Sequence, residues 1–134
     1  VLRFAFVDDK ILDLLKRFWP GSVTFVLRLK EEDFFPRILT SGLNSIGVRM
    51  PNHPVALKFI ELCGDLIVGT SANISGYPHP LVASDAFEQL KNVDAVIDCG
   101  ASPIGVPSTI VDLSGEKPRI LRMGALEIAV SNLW

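Results

Sequence analysis

The chain has 134 residues, of which 49% are hydrophobic, and this size and composition are typical of one globular domain with a substantial core. Its formal net charge of -2, from 13 basic and 15 acidic residues, excludes the strongly basic surface that binds nucleic acid through charge alone. No apolar stretch approaches the roughly 18 residues needed to cross a bilayer, so we expect no membrane partner. The isolated cysteines Cys63 and Cys99 predict small core side chains in a reducing, cytoplasmic compartment.

The first part of the chain predicts alternating helices and strands. Acidic residues followed by apolar residues at helical spacing predict a helix, and Pro20-Gly21 provides its stop. Alternation of apolar and polar residues then predicts a strand with one face on a core. In chain order, the expected elements are a helix from Asp8 to Trp19, a strand from Val23 to Leu29, a short strand at Ile46 and Val48, and a helix from Pro54 to Cys63 that ends at Gly64.

The second part predicts strands that pair as a hairpin. A polar turn rich in Gly and Pro separates the last two apolar segments, as hairpin strands require. Because strands alternate with helices early and form a hairpin late, we expect a mixed sheet. The expected elements are a strand from Leu66 to Thr70, a helix capped by Ser84, a strand from Val93 to Asp98, strands at Thr109 to Leu113 and Arg119 to Arg122, and a short helix near Ala125.

A loop of small polar residues follows the predicted strand at Leu66 to Thr70. Ser71 and Asn73 offer hydroxyl and amide groups on short side chains, which lose little rotamer entropy when they hold a ligand. The same composition is typical of a loop closed by Asx and Ser turns. Taken alone, the segment from Thr70 to Gly76 leaves a ligand site and a plain turn equally open.

A second polar segment surrounds the short strand near Val48. Alternation places Ser45, Gly47 and Arg49 on one side of this strand and the apolar residues on the other. A guanidinium held by a strand is suited to bidentate recognition of a carboxylate or a phosphate. A structural ion pair at the strand edge explains Arg49 equally well on this segment alone.

Two later segments have the same character. Ser108 and Thr109 follow a loop rich in Gly and Pro, whose N–H groups can cradle an anion, although such loops are more often plain turns. Arg122 precedes a predicted helix start, which favours phosphate. Neither His53 nor His79 has the spacing of a catalytic triad or a metal site. Without an identified acid, base or nucleophile, the residues favour a reaction run by positioning and charge stabilisation, such as nucleotidyl transfer.

Five motifs follow one another over nearly the whole chain. They are Phe18-Trp19-Pro20-Gly21-Ser22-Val23-Thr24, Gly47-Val48-Arg49-Met50-Pro51 with His53-Pro54, Thr70-Ser71-Ala72-Asn73-Ile74-Ser75-Gly76, Pro107-Ser108-Thr109-Ile110-Val111-Asp112 and Ile120-Leu121-Arg122-Met123-Gly124. Their order and spacing resemble the YrdC family. The resemblance implies an α/β fold, a YrdC-like twisted mixed β-sheet with helices packed on it and an open concave ligand cleft, within a single domain at residues 1–134.

The resemblance implies a nucleotidyltransferase that joins L-threonine, bicarbonate and ATP into threonylcarbamoyl-AMP and releases pyrophosphate. The product would feed the tRNA-modification machinery that makes threonylcarbamoyladenosine. Mg²⁺ is expected with ATP, without protein ligands for it. In family terms, threonine-binding residues would be Arg49, Ser71 and Ser108, and ATP-binding residues would be Ser45, Asn73 and Arg122.

The chain departs from the family pattern at its start and after the loop from Thr70 to Gly76, here called the signature loop. The family's Thr-Asp-Thr stretch and Lys-x-Arg motif do not occur ahead of the first of these five motifs, and we expect them upstream of Val1, which makes the chain an N-terminally incomplete domain. Tyr77-Pro78-His79-Pro80-Leu81 stands where many members have Ser-Pro-Thr, which puts one nucleotide contact in doubt. The 134 residues also do not include the carboxy-terminal domain of the family's longer branch. Two alternatives remain, a non-synthase YrdC-like paralogue and a module that binds double-stranded RNA or tRNA weakly.

Overall fold

The computed structural model describes residues 1–31 and 34–133. Contacts divide the chain into two compact units, unit 1 with Val1–His53 and Pro107–Trp134, and unit 2 with Pro54–Val106. That residues 1–134 form a single domain stays a prediction. The helices are α1 (Asp9–Phe18), α2 (Arg37–Thr40), α3 (Pro54–Leu62) and α4 (Ala83–Gln89), the strands are β1 (Val23–Arg28), β2 (Ser45–Val48), β3 (Thr109–Asp112) and β4 (Arg119–Arg122), and Val130–Asn132 is a 3₁₀ helix.

Helix α1 begins and ends where the sequence predicts. The Asp8 carboxylate accepts a hydrogen bond from the Ile11 N–H at 2.8 Å, which satisfies one of the free donors at the helix start. Apolar residues of its inner face, including Ile11, are buried. After the helix, a Cβ added at Gly21 would lie 2.3 Å from the Phe18 carbonyl oxygen, so only glycine fits where the chain turns toward β1.

The four strands of unit 1 form one sheet, which is mixed as predicted, and their order is β2-β1-β3-β4. Strands β1 and β3 are parallel, and Val23 pairs with Thr109. The outer strands run antiparallel to their neighbours, so that Val48 pairs with Phe25 and β4 pairs with β3. The starts of β1 and β3 therefore lie at the same end of the sheet as the ends of β2 and β4.

One face of this sheet covers the core of unit 1. Along β1, Val23, Phe25 and Leu27 are fully buried, while the intervening residues are half-buried or exposed. The Phe25 ring centroid lies 6.0 Å from that of Phe18 and 5.6 Å from that of Trp19, which joins the core face to α1. The opposite face, which bears Thr24, Val26 and Arg28, is here called the open face. The buried apolar residues are Phe4, Ala5, Ile11, Leu14, Leu15, Val23, Phe25, Leu27, Leu29, Val111, Leu113, Ile128 and Leu133.

The prediction of two strands in unit 2 is wrong. Neither Leu66 to Thr70 nor Val93 to Asp98 pairs with a strand among the described residues. Their apolar side chains are exposed, with Ile67 at 40% and Val68 at 65% of full accessibility. An apolar run indicates that a segment favours burial, but it does not supply the neighbouring strand that a ladder needs. The loop from Thr70 to Gly76 is therefore not preceded by a buried strand.

Both helices of unit 2 are present, but the residues expected in its core are not buried. Helix α3 ends at the predicted place, where Gly64 has a positive φ of 90°. No residue of unit 2, all of which is described, is buried. Cys63 and Cys99 are consequently exposed, which contradicts their predicted place in a core. No helix of the described residues is long and apolar enough to span a bilayer.

Two predicted helix starts also differ from the structure. Helix α4 follows Val82, whose side chain makes no capping hydrogen bond, so the prediction that Ser84 caps it is wrong. Ser84 lies inside the helix, with its hydroxyl 3.5 Å from an Asp85 carboxylate oxygen. No helix begins near Ala125, and the helical element that follows β4 is the 3₁₀ helix at Val130–Asn132. The Ala125 N–H donates to the Pro107 carbonyl at 2.8 Å. This bond ties the chain after β4 to the segment before β3.

Candidate functional site

A row of polar residues crosses one end of the open face. It contains Arg49 after β2, Thr24 in β1, Ser108 before β3 and Arg122 at the end of β4, and we call it the polar row. Paired residues share a face of a sheet, and Gly47 pairs with Val26, so Arg49 and Thr24 lie on that same face by alternation. Three of the six predicted site residues, Arg49, Ser108 and Arg122, thus come from separate strands to one end of the sheet.

Ser108 is the most buried member of the polar row. Its side chain is only 8% exposed, and its Oγ lies 2.8 Å from the Thr24 Oγ1. The Arg122 guanidinium donates to the Ser108 carbonyl oxygen from Nε at 3.1 Å and from Nη2 at 2.8 Å. The same Nη2 lies 3.4 Å from the Ser108 Oγ. Both the backbone and the hydroxyl of Ser108 are therefore held by neighbouring strands.

The residues after β4 hold the backbone around Ser108. The Thr109 hydroxyl donates to the Leu126 carbonyl oxygen and accepts a hydrogen bond from the Gly124 N–H at 3.0 Å. A Cβ added at Gly124 would lie 2.3 Å from the Pro107 carbonyl oxygen and 2.6 Å from that of Ser108. Glycine is therefore required by this close backbone approach, independently of any ligand.

Neither arginine of the polar row is neutralised by an acid among the described residues. Arg122 bonds only to Ser108 there, and Arg49 makes no ion pair or hydrogen bond with the described part of the chain. The alternative explanation of Arg49, a structural ion pair, thus finds no partner in residues 1–31 and 34–133. Arg49 is exposed as a residue, and partial desolvation of its guanidinium lowers its pKa, although a guanidinium stays charged at neutral pH. Its charge is available to an anionic ligand.

Arg119 in β4 differs from the two arginines of the polar row, because it pairs with an acid. Arg119 donates from Nη2 to an Asp112 carboxylate oxygen at 2.6 Å. The carboxylate also accepts from the Ser114 hydroxyl at 2.6 Å and from the Ser114 N–H at 2.9 Å. Burial alone raises the pKa of Asp112, but these hydrogen bonds and the Arg119 charge outweigh it and hold the pKa below its usual value. This cluster is satisfied internally and leaves Arg119 without a free charge for a ligand.

Ser45 lies away from the polar row. It pairs with Arg28 at the far end of β1, four residues from Arg49 along the chain. At the rise of an antiparallel strand, this separation is about 13 Å. The structure therefore places Ser45 on the open face but at its opposite end, and its role toward ATP stays a prediction.

In unit 2, Asn73 closes the signature loop on itself. Its Nδ2 donates to the Ile74 carbonyl oxygen at 3.0 Å and to that of Tyr77 at 2.9 Å. Its Oδ1 lies 3.2 Å from the His79 Nδ1. These bonds are those of the turn that the sequence left open beside a ligand site. Ser71 is exposed. The roles of Ser71 toward threonine and of Asn73 toward ATP stay predictions.

A shallow cavity of about 400 Å³ lies beside this loop. Gln89 fixes its wall, because its amide accepts from the Ile74 N–H and donates to the Pro78 carbonyl oxygen, both at 3.2 Å. The described residues include no group of three or more His, Cys, Asp and Glu that could hold a metal ion, so we assign none of them to Mg²⁺. The cavity is lined by Ile74, Tyr77, Pro78, His79, Pro80, Asp85, Glu88 and Gln89.

Sequence reasoning missed Thr24 and Gly124 as parts of the site. Each belongs to a quoted motif, yet neither carries a charge or an unusual functional group. The parallel pairing of β1 with β3 brings Thr24 beside Ser108, and long-range pairing of this kind leaves no local signal. The available signal for Gly124 was its position two residues after Arg122, the last residue of a predicted strand.

Comparison with solved structures confirms the α/β YrdC-like fold. The crystal structure of Pyrococcus abyssi Sua5 complexed with L-threonine matches 89% of this chain and 35% of that chain, with a TM-score of 0.82 and 43% identity. Escherichia coli YciO matches 96% of this chain and 63% of that chain, with a TM-score of 0.84 and 27% identity.

Curated relatives carry one activity in their names. A threonylcarbamoyl-AMP synthase of Pyrococcus abyssi is 45% identical over 116 residues, which are 86% of this chain and 34% of that protein. A Bacillus subtilis protein of the same name is 39% identical over 119 residues, 88% of this chain and 34% of that protein. The chain thus spans about a third of these relatives. The Sua5/YciO/YrdC family model, whose description is "Telomere recombination", matches residues 1–124, and the chain therefore belongs to this family.

Proposed function

We propose that this chain is part of a threonylcarbamoyl-AMP synthase, a nucleotidyltransferase that acts on L-threonine, bicarbonate and ATP. The observation that carries the proposal is the polar row, in which Arg49 and Arg122 have no acidic partner among the described residues and flank the buried Ser108. The names of the curated relatives, and the threonine in the Sua5 crystal structure, support this choice of substrates.

The chemistry of the row fits a carboxylate and a phosphate. A guanidinium forms two parallel hydrogen bonds with a carboxylate, and a hydroxyl adds a third. We assign Arg49 and Ser108 to the threonine carboxylate, and Arg122 to an ATP phosphate. Ser71 is proposed to contact threonine, and the remaining proposed contacts to ATP are Ser45 and Asn73.

The proposed reaction needs no nucleophile from the protein. The threonine amine attacks the carbon of bicarbonate, and water leaves as a carbamate forms. A carbamate oxygen then attacks the α-phosphorus of ATP, and pyrophosphate leaves with the electron pair of the broken P–O bond. Positioned cations lower the barrier by stabilising the charge that develops on the phosphoryl oxygens.

Mg²⁺ is proposed to accompany ATP, because a nucleotidyl transfer neutralises phosphate charge with this ion. The described residues offer it no cluster of ligands, so no step is assigned to a protein-bound metal. We further propose that the product passes to a tRNA-modification machinery in the cytoplasm.

Substitution of Arg49 tests the proposal. Arg49→Gln removes the charge that we assign to the threonine carboxylate, and charge-assisted hydrogen bonds contribute about 1.5 to 3 kcal/mol. L-Threonine should therefore bind at least about tenfold more weakly in isothermal titration calorimetry. The exposed Arg37, in α2, provides the matched control Arg37→Gln, which should leave the affinity unchanged. Equal affinities of the two variants would contradict the assignment, and retained ATP binding without any threonine binding would favour a non-synthase paralogue.

A further inference from the structure

We infer that Thr24 is a positioning residue that turns the Ser108 hydroxyl into a hydrogen-bond donor toward the substrate carboxylate. The inference rests on the proposed function and adds a residue that the family resemblance did not assign. The contact that carries it joins two hydroxyl oxygens, the Thr24 Oγ1 and the Ser108 Oγ, at 2.8 Å.

Packing fixes the orientation of Thr24. A Cβ added at Gly47 would lie 3.5 Å from the Thr24 Cγ2, so the methyl group faces strand β2. The hydroxyl faces the opposite way, toward Ser108 before β3. A β-branched side chain has few χ1 rotamers, and the Thr24 hydroxyl therefore stays beside Ser108 at little entropic cost.

The donors around Ser108 determine where its own proton can go. A serine hydroxyl has one hydrogen and accepts at two lone pairs. The Arg122 Nη2 can only donate, and it lies 3.4 Å from the Ser108 Oγ, a long contact that offers this oxygen a donor and no acceptor. When Thr24 donates to a lone pair of the Ser108 Oγ, the Ser108 hydrogen has no acceptor within this group and is available for a ligand.

A bound carboxylate favours the arrangement in which Thr24 donates to Ser108 over the reverse arrangement. In the reverse arrangement Ser108 donates to Thr24, and no hydroxyl hydrogen of Ser108 is left for the ligand. A carboxylate only accepts hydrogen bonds, and Arg49 and Arg122 attract it to this end of the sheet. The Thr24 hydroxyl therefore strengthens binding of an anion through Ser108, without contact between Thr24 and the substrate.

A double-mutant cycle tests the inference. Thr24→Val replaces the hydroxyl with a methyl group of similar size, and Thr24→Ser keeps the hydroxyl. L-Threonine should bind about twofold to fivefold more weakly to Thr24→Val, because the Ser108 hydroxyl is then no longer oriented before the ligand arrives, and the upper limit corresponds to one neutral hydrogen bond. Thr24→Ser should restore most of the affinity. In a Ser108→Ala background, Thr24→Val should cause no further loss, because its effect passes through Ser108.

Other outcomes separate this inference from the proposed function. An unchanged affinity of Thr24→Val, or an equal loss in the Ser108→Ala background, overturns the positioning role and leaves the proposed function intact. A parent protein with the upstream motifs that does not bind L-threonine contradicts the proposed function and overturns this inference with it. Urea unfolding of each variant checks that the chain is folded, and Thr24→Ala replaces Thr24→Val in the cycle if the valine variant does not fold.

Discussion

Substitution of Gly124 by alanine should displace the backbone that carries Ser108. The added Cβ would lie 2.3 Å from the Pro107 carbonyl oxygen, 2.5 Å from the Ser108 carbonyl carbon and 2.6 Å from the Ser108 carbonyl oxygen. Ordinary contacts begin at 3.4 Å, so the two segments must separate by about 1 Å. All three neighbouring atoms belong to the backbone, so no flexible side chain can move away to make room for the Cβ. Overpacking of this kind costs about 1 to 3 kcal/mol.

The same displacement should weaken the site. The hydrogen bond from the Gly124 N–H to the Thr109 hydroxyl would lengthen, and the contacts of Arg122 with Ser108 would change with it. We therefore expect Gly124→Ala to lower both the urea midpoint and the L-threonine affinity.

Gly115 provides the matched control for Gly124. A Cβ added at Gly115, in the turn between β3 and β4, would have no atom of the described residues within 4 Å, and Gly115 does not have a positive φ. Gly115→Ala should therefore change neither quantity. The reasoning would be refuted if Gly124→Ala matched the wild type in both the urea midpoint and the L-threonine affinity.

Three further predictions concern stability and activity. Phe25→Ala, at a fully buried position, should lower the free energy of unfolding by about 3 to 5 kcal/mol in urea titrations, whereas Ile38→Ala, at 88% exposure, should change it by less than about 0.5 kcal/mol. Because the pKa of Asp112 is lowered in the folded state, its carboxylate stabilises the fold fully above the ordinary aspartate pKa of about 3.9, and this stabilisation is lost as the pH falls through the lower folded value. Urea midpoints of Asp112→Asn should therefore fall less steeply with acid than those of the wild type, and identical slopes would exclude this role. The 134 residues alone should release pyrophosphate weakly or not at all with ATP, L-threonine and bicarbonate, whereas a parent protein with an upstream Lys-x-Arg should be active; full activity of the 134 residues would show that the upstream motif is not required.

The sequence predicts those parts of the fold that have local causes. Helix α1 has a capping carboxylate, an apolar stripe and a glycine stop, and each signal lies within the segment itself. Strand β1 alternates because one of its faces lies on the core. In contrast, Leu66 to Thr70 and Val93 to Asp98 have strand-like composition, but a strand also requires a hydrogen-bonded neighbour, which neither has among the described residues.

The sequence predicts those residues of the candidate site whose side chains carry a charge or a polar group in an unusual setting. Arg49, Ser108 and Arg122 attract attention because charge and hydroxyl groups follow or precede strands, and the sheet brings them to one end. Thr24 could not be singled out, because its importance depends on a pairing between residues 84 positions apart. Asn73 shows the converse limit, since the composition of its loop fits a turn, and the amide does brace that turn.

The most direct test of the central claim is a pair of calorimetric titrations of the wild-type chain, one with L-threonine and one with L-threoninol, which has an alcohol in place of the carboxylate. If the polar row binds the carboxylate through Arg49 and Ser108, L-threonine should bind at least about tenfold more tightly than L-threoninol. Equal affinity for the two ligands would contradict carboxylate recognition by the polar row.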